Sequence, residues 1–196
     1  MKSTILIATF ALAAAGLNAE QYNIDAAHSK AQFSVKHLMV SNVRGEFGKM
    51  SGTVFFDDKN PDATRIDATL DAATINTGVT KRDDHLRSPD FFDTAKFPTL
   101  SFKSKSAKKT ADGLAVTGDL TMHGVTKEVV LNVEGPSAEI KDPWGSQRRG
   151  ATATAKINRR DFGLSWGQAL EAGGVVVGDQ IAITIDVEAT KPGATK

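Results

Sequence analysis

In DQIAITIDVEAT, residues 179–190, Ile181, Ile183, Ile185, Val187 and Ala189 alternate with Gln180, Ala182, Thr184, Asp186 and Glu188. A period of two puts the first set on one face of an extended strand and the second set on the other. An apolar face backed by a mostly polar one is the mark of a half-buried antiparallel strand.

The same alternation recurs upstream, at Ile66, Ala68 and Leu70, and at Leu114, Val116, Gly118, Leu120 and Met122. In residues 125–134 Val129, Leu131 and Val133 share a face, and in GATATAKIN (150–158) Ala151, Ala153, Ala155 and Ile157 do so. Asp112-Gly113 and His123-Gly124 supply reversals between runs. The pattern predicts eight or nine strands, at about 20–25, 30–38, 43–57 (bent at its glycines), 64–73, 98–108, 113–122, 126–139, 147–158 and 179–190. Helical pattern is confined to Thr80–Ser88 and a turn at Gln168–Ala172. Strands without intervening helices imply an all-β sandwich or an up-and-down barrel.

The first 19 residues, MKSTILIATFALAAAGLNA, carry one lysine, an apolar run from Ile5 to about Ala15, and small residues up to Ala19. That is the layout of a secretory signal peptide cleaved after Ala19, and the run is too short to span a bilayer. Residues 20–196 are then expected to be one exported domain without stable membrane insertion. Removing Lys2 leaves 23 basic and 23 acidic residues, a neutral balance that does not recommend a nucleic-acid partner. An exported chain with no cysteine has no disulfide and fits the bacterial periplasm.

Short motifs give little chemistry. GLSWG (163–167) has the nucleophile-elbow spacing, yet the last histidine, His123, precedes Ser165 and the fold reads all-β. His28, His37, His85 and His123 lack metal-ligand spacing, and GGVVVGD lacks the Lys-Ser/Thr of a phosphate loop. No metal or other cofactor is implied.

One stretch stands apart, RDDHLRSPDFFDTAKFPTLSF (82–102), where Arg82, His85, Arg87 and Lys96 mingle with four aspartates and four phenylalanines. The charges could neutralise one another on a solvated surface. Phe91, Phe92, Phe97 and Phe102 need an apolar place to go, which a short helical lid over an apolar interior would supply.

This block, with IDAAHSKAQFSVKHLMVSNVRGEF (24–47), GDLTMHGVTKEV (118–129) and INRRDFGLSWGQALEAGGVVVGDQIAITIDVEA (157–189), resembles the YceI-like proteins of bacteria, in the same order. The resemblance implies a lipocalin-like antiparallel β-barrel of about eight strands with one or two short helical segments. It also implies a periplasmic location and an isoprenoid lipid ligand in the interior, and it supplies no catalytic residue. A barrel of about eight strands is wide enough for one slender ligand. Burying a hydrocarbon yields about 0.8 kcal/mol per methylene before ordering costs.

The expected apolar contacts are Phe33, Phe91, Phe92, Phe102, Trp166 and Ile183, with Arg82, His85 and Arg87 as candidates for a diphosphate or quinone head group. Arg159 and Arg160 form a second cationic candidate. The reading is a non-enzymatic binding or carrier protein for a quinone or polyprenyl phosphate. Its alternatives are an enzyme using His85 as acid or base, flanked by Asp83 and Asp84, and a ligand-free structural protein of the stressed envelope.

Overall fold

The computed structural model describes residues 19–171 and 173–191. The leader expected over residues 1–19 therefore lies, Ala19 apart, outside the described residues.

Eleven strands and one helix are present among the described residues: β1 Glu20–Ile24, β2 Lys30–His37, β3 Ser41–Phe47, β4 Ser51–Phe56, β5 Arg65–Asp71, α1 Thr80–Arg87, β6 Thr99–Lys109, β7 Gly113–Met122, β8 Val125–Glu134, β9 Ile140–Lys141, β10 Gln147–Asn158 and β11 Val177–Lys191. All pairings are antiparallel. The circuit β11–β1–β4–β5–β6–β7–β8–β10 returns to β11, closing an eight-stranded barrel.

β11 carries the closure. One edge runs against β10 from Gln180↔Asn158 to Lys191↔Gln147. The other is shared by β2, from Val177↔His37 to Asp186↔Lys30, and by β1 at Ala189↔Ile24. β3 extends the wall beside β2, and its outer edge is tied to the chain before α1 by reciprocal 2.9 Å bonds between Glu46 and Asn76.

Three sequence expectations need correction. The bent strand at 43–57 is two strands, β3 and β4, separated by Gly48, Lys49 and Met50, with Lys49 left-handed at φ +51°. The strand expected over 126–139 stops at Glu134, because Gly135 turns to φ +101° and Pro136 has no N–H for the ladder. The turn at Gln168–Ala172 is not helical: Ala169 bridges Val175, and Ala172 lies outside the described residues.

Ile181, Ile183, Ile185, Val187 and Ala189 face the interior, as their alternation requires. The core has two centres. Phe56, Phe102, Val116, Leu131 and Ala153 belong to one, and Phe47, Ile75, Met122, Ile157 and Phe162 to the other. Ile75 and Val116 are wholly buried, each worth about 1.5–3 kcal/mol against exposure.

Outside the first centre, Arg148 bonds Asp142 at 2.7 Å and Asp25 at 2.9 Å, and it also reaches Glu188. It fastens the β1–β2 turn to the β9–β10 loop and to β11. Hydrogen bonds from His28 and Arg148 draw the Asp25 carboxyl down to about 2.

Candidate functional site: an apolar tunnel with an arginine at each end

The barrel is not filled by its own side chains. A cavity of about 260 Å³ runs through it, with residues of β2, β4, β5, β6, β7, β8, β10 and β11 in its wall. Many inward residues of β11 are only half-buried, since their exposed surface faces this space.

β10 shows how the sequence builds the room. Its inward positions are Arg149, Ala151, Ala153, Ala155 and Ile157, and the next in the series is Arg159. The small side chains of Ala151 and Ala153 leave volume along the middle of the wall, opposite Val187 and Ile185. The two arginines are ten positions apart, which spans roughly 33 Å of extended chain before tilt.

Each arginine is committed to the protein. Arg159, 3 % exposed, bonds the carbonyls of Gly178 at 3.0 Å, Trp166 at 2.7 Å, Leu164 and Val177, and pairs with Asp179 at 3.0 Å. It fixes the loop after β10 against β11. Burial lowers its pKa from the ordinary arginine value, but a guanidinium stays charged.

Arg149 bonds the Tyr22 hydroxyl at 3.1 Å, the carbonyl of Ser137 at 3.0 Å and both oxygens of Asp58. Its guanidinium lies 5.1 Å from the Phe56 ring centre and 5.7 Å from that of Tyr22. Burial, with the carboxylates of Glu139 and Glu20 beside it, raises the Tyr22 pKa.

Near the Arg159 end, α1 and the segment after it contribute Leu86, Phe91 and Phe92 to the wall. Phe92 meets Phe47 edge-on at 5.4 Å, and Phe47 in turn packs against Phe33 at 5.8 Å. The charges of α1 are largely spent on its own support. Asp83, buried, accepts from the Thr77 N–H at 2.8 Å and hydroxyl at 2.6 Å, and Arg82 bonds the same residue. Arg87 bonds the carbonyls of Ala73 and Ile75 and the carboxylate of Asp84.

Of the residues expected in the site, Phe33, Phe91, Phe92, Phe102 and Ile183 line the cavity. Trp166 stands behind the wall, 5.2 Å from Phe91 and 5.1 Å from His85. Arg82, His85 and Arg87 are outside the lining, with His85 bonded to Asp90 at 2.9 Å. Arg160 is exposed and bonds Asp179 at 2.8 Å. Arg149 and Tyr22 were missed, although the period of two through Ala151, Ala153 and Ala155 continues back to Arg149 and would have placed it inward.

Ser165 is exposed, between the two carbonyls held by Arg159, and bonds no histidine among the described residues. His123 closes the β7–β8 turn at φ +53° and reaches the Phe162 carbonyl at 3.2 Å. Asp25, His28 and Glu188 could together approach a metal ion. Arg148 already supplies positive charge to both carboxylates there.

The YceI-like domain model matches residues 22–189. This chain belongs to the YceI-like family. The protein YceI of Escherichia coli O6:H1 is 41 % identical over 169 residues, covering 84 % of this chain and 88 % of the relative. That of Salmonella newport is 40 % identical over 149 residues, 75 % and 78 % respectively.

Solved structures superpose on this barrel. The Campylobacter jejuni YceI protein does so with TM-score 0.66 and 33 % identity, covering 80 % of this chain and 89 % of that one. BcnA of Burkholderia cenocepacia gives 0.71 with 24 % identity, covering 84 % and 98 %. A polyisoprenoid binding domain from Saccharophagus degradans gives 0.62 with 18 % identity, covering 87 % and 98 %. At those last two identities the likeness is one of fold. Among the described residues of this YceI-like chain, no helix is long and apolar enough to cross a membrane.

Proposed function

We propose that the protein is exported to the periplasm and there binds and carries an isoprenoid lipid, a quinone or a polyprenyl phosphate, in the barrel interior. The observation that carries this reading is the tunnel itself, apolar along its length between Arg149 and Arg159. A slender branched hydrocarbon matches a long narrow cavity walled by aliphatic and aromatic side chains. The membership of the family and the polyisoprenoid-binding description of one fold neighbour favour the same ligand class.

Binding rather than turnover is favoured by the chemistry of the wall. Among the described residues lining the cavity there is no histidine and no carboxylate. The test supplies an isoprenoid quinone and a polyprenyl phosphate separately to purified protein and follows co-elution on gel filtration. Co-elution of one names the head group, and exclusion of both contradicts the proposal.

A further inference from the structure

At the Arg159 end the β2–β3 hairpin reaches past the cavity. His37 pairs with Val177, which lines the cavity, so the tip beyond His37 stands outside its edge. The tip consists of Leu38, Met39 and Val40, which are 39 %, 52 % and 80 % exposed.

Two features mark this tip. The first is its backbone. Val40 N–H bonds the His37 carbonyl at 3.1 Å, which makes Leu38 and Met39 the central pair of a β-turn, with φ +51° and +61°. A turn left-handed at both positions is the one that Asn-Gly fills with little strain and that longer side chains resist. The Leu38 N–H donates to the Val176 carbonyl at 2.8 Å, holding the turn in place. Chain reversal alone does not call for two apolar side chains in a strained, solvated turn.

The second feature is charge. Lys36 and Arg44 lie exposed on the outward face of the same hairpin, and Lys81 is exposed in the first turn of α1. None of the three makes an ion pair among the described residues, whereas their neighbours do: Lys30 with Glu46, and Arg160 with Asp179. The opposite end of the barrel also exposes apolar groups, Ile140 and Trp144. There, however, Arg148, Arg149 and Lys191 are each paired with carboxylates. Among the described residues Lys59 and Lys141 at that end are also outside any ion pair, so what sets the Arg159 end apart is an apolar tip held in a strained turn beside its cations.

We propose that the β2–β3 tip docks the protein on an anionic lipid surface, with Leu38, Met39 and Val40 entering the interface and Lys36, Arg44 and Lys81 facing the head groups. Apolar insertion beside basic residues is how peripheral proteins hold to such a surface. The docked barrel has its Arg159 end against the lipid, where a chain can pass between membrane and tunnel. The proposal takes its purpose from the lipid-carrier reading, but docking itself is independent of what fills the cavity.

The experiment is co-sedimentation with vesicles of phosphatidylglycerol and phosphatidylcholine. The double variant Leu38→Asn, Met39→Gly keeps the turn and relieves its strain, so it should melt higher than the parent while binding vesicles roughly tenfold more weakly. Lys36→Gln with Arg44→Gln should weaken binding and reduce its sensitivity to salt. With Trp144 and Trp166 replaced by phenylalanine, a Val40→Trp variant should be quenched by acyl-brominated lipid. Trp144, left as the sole tryptophan by Trp166→Phe, should not be.

A parent protein that ignores anionic vesicles overturns the proposal, as does a double variant that binds like the parent, or quenching of Trp144 in place of the Val40→Trp probe. Docking by a protein that takes up no isoprenoid would support this proposal and remove the carrier reading. A lipid-loaded protein that ignores vesicles would overturn docking and leave the carrier reading standing.

Discussion

The ring of Phe33 lies over Gly45, its partner across the β2–β3 ladder, so closely that a β-carbon on Gly45 would fall 2.5 Å from the ring Cζ. A similar close approach occurs on the far wall, where Gly118 pairs with Ser104 and a β-carbon on it would meet the Phe102 Cζ at 2.5 Å and the Lys103 carbonyl at 2.6 Å. Each glycine gives up its own side chain to accommodate a ring that lines the tunnel.

Gly45→Ala should therefore push Phe33 into the cavity, or push the strand outward. Overpacking of this kind costs about 1–3 kcal/mol. The expected result is a lower denaturation midpoint together with weaker uptake of an isoprenoid quinone. Normal uptake at reduced stability would show that the Phe33 position does not control access to the cavity.

Ala153 faces the cavity from the middle of β10, between Val133 of β8 and Ile185 of β11. Ala153→Leu adds apolar volume to empty space, so stability should hold or rise while lipid uptake falls by an order of magnitude or more. Thr154→Leu, on the exposed outer face of the same strand, should leave uptake unchanged. Calorimetry and gel-filtration co-elution on both variants check the pair.

Arg159→Met removes the donors for four carbonyls in one step, those of Gly178, Leu164, Trp166 and Val177. Leaving buried acceptors unpaired should cost about 3 kcal/mol, seen as a drop in the urea midpoint. Hydrogen exchange should quicken in residues 163–168, the loop that this side chain clamps.

The Arg148 cluster sets an acid limb. Asp25, ordinarily near 3.8, titrates at about 2 because His28 and Arg148 bond its charged form, and Arg148 lowers the Asp142 carboxyl as well. A carboxyl depressed in the folded state adds stability above its unfolded pKa and loses it as pH falls through the folded one. Stability should thus decline between about pH 4 and pH 2. Arg148→Gln should be less stable at pH 7, and its gap to the parent should narrow across that window. Urea midpoints at pH 7, 4 and 2.5 test the sign.

Much of the barrel was legible because an antiparallel wall with one wet and one dry face imposes a period of two. The β11 pattern from Ile181 to Ala189 gave both its strand and its inward face. The closure was not legible. Nothing local in β1, β2 or β11 says that one long strand pairs with two short ones on one edge and with β10 on the other. The apolar half of the site followed from hydrophobicity, which is why Phe33, Phe91, Phe92, Phe102 and Ile183 were found. The cationic half followed only in part: Arg159 was an expected candidate and lines the cavity, Arg149 was not expected, and Arg82 and Arg87 gave no sign in sequence of their backbone partners. Arg82 and Arg87 are taken up by the carbonyls of Thr77, Ala73 and Ile75, whereas Arg149 and Arg159 reach the tunnel.

Native mass spectrometry of the protein purified from its native host without detergent, followed by organic extraction, tests most directly whether the barrel interior holds a lipid. The expected result is a bound mass that is released as an isoprenoid lipid. A protein at its bare mass that also takes up no isoprenoid when one is supplied would contradict the carrier reading.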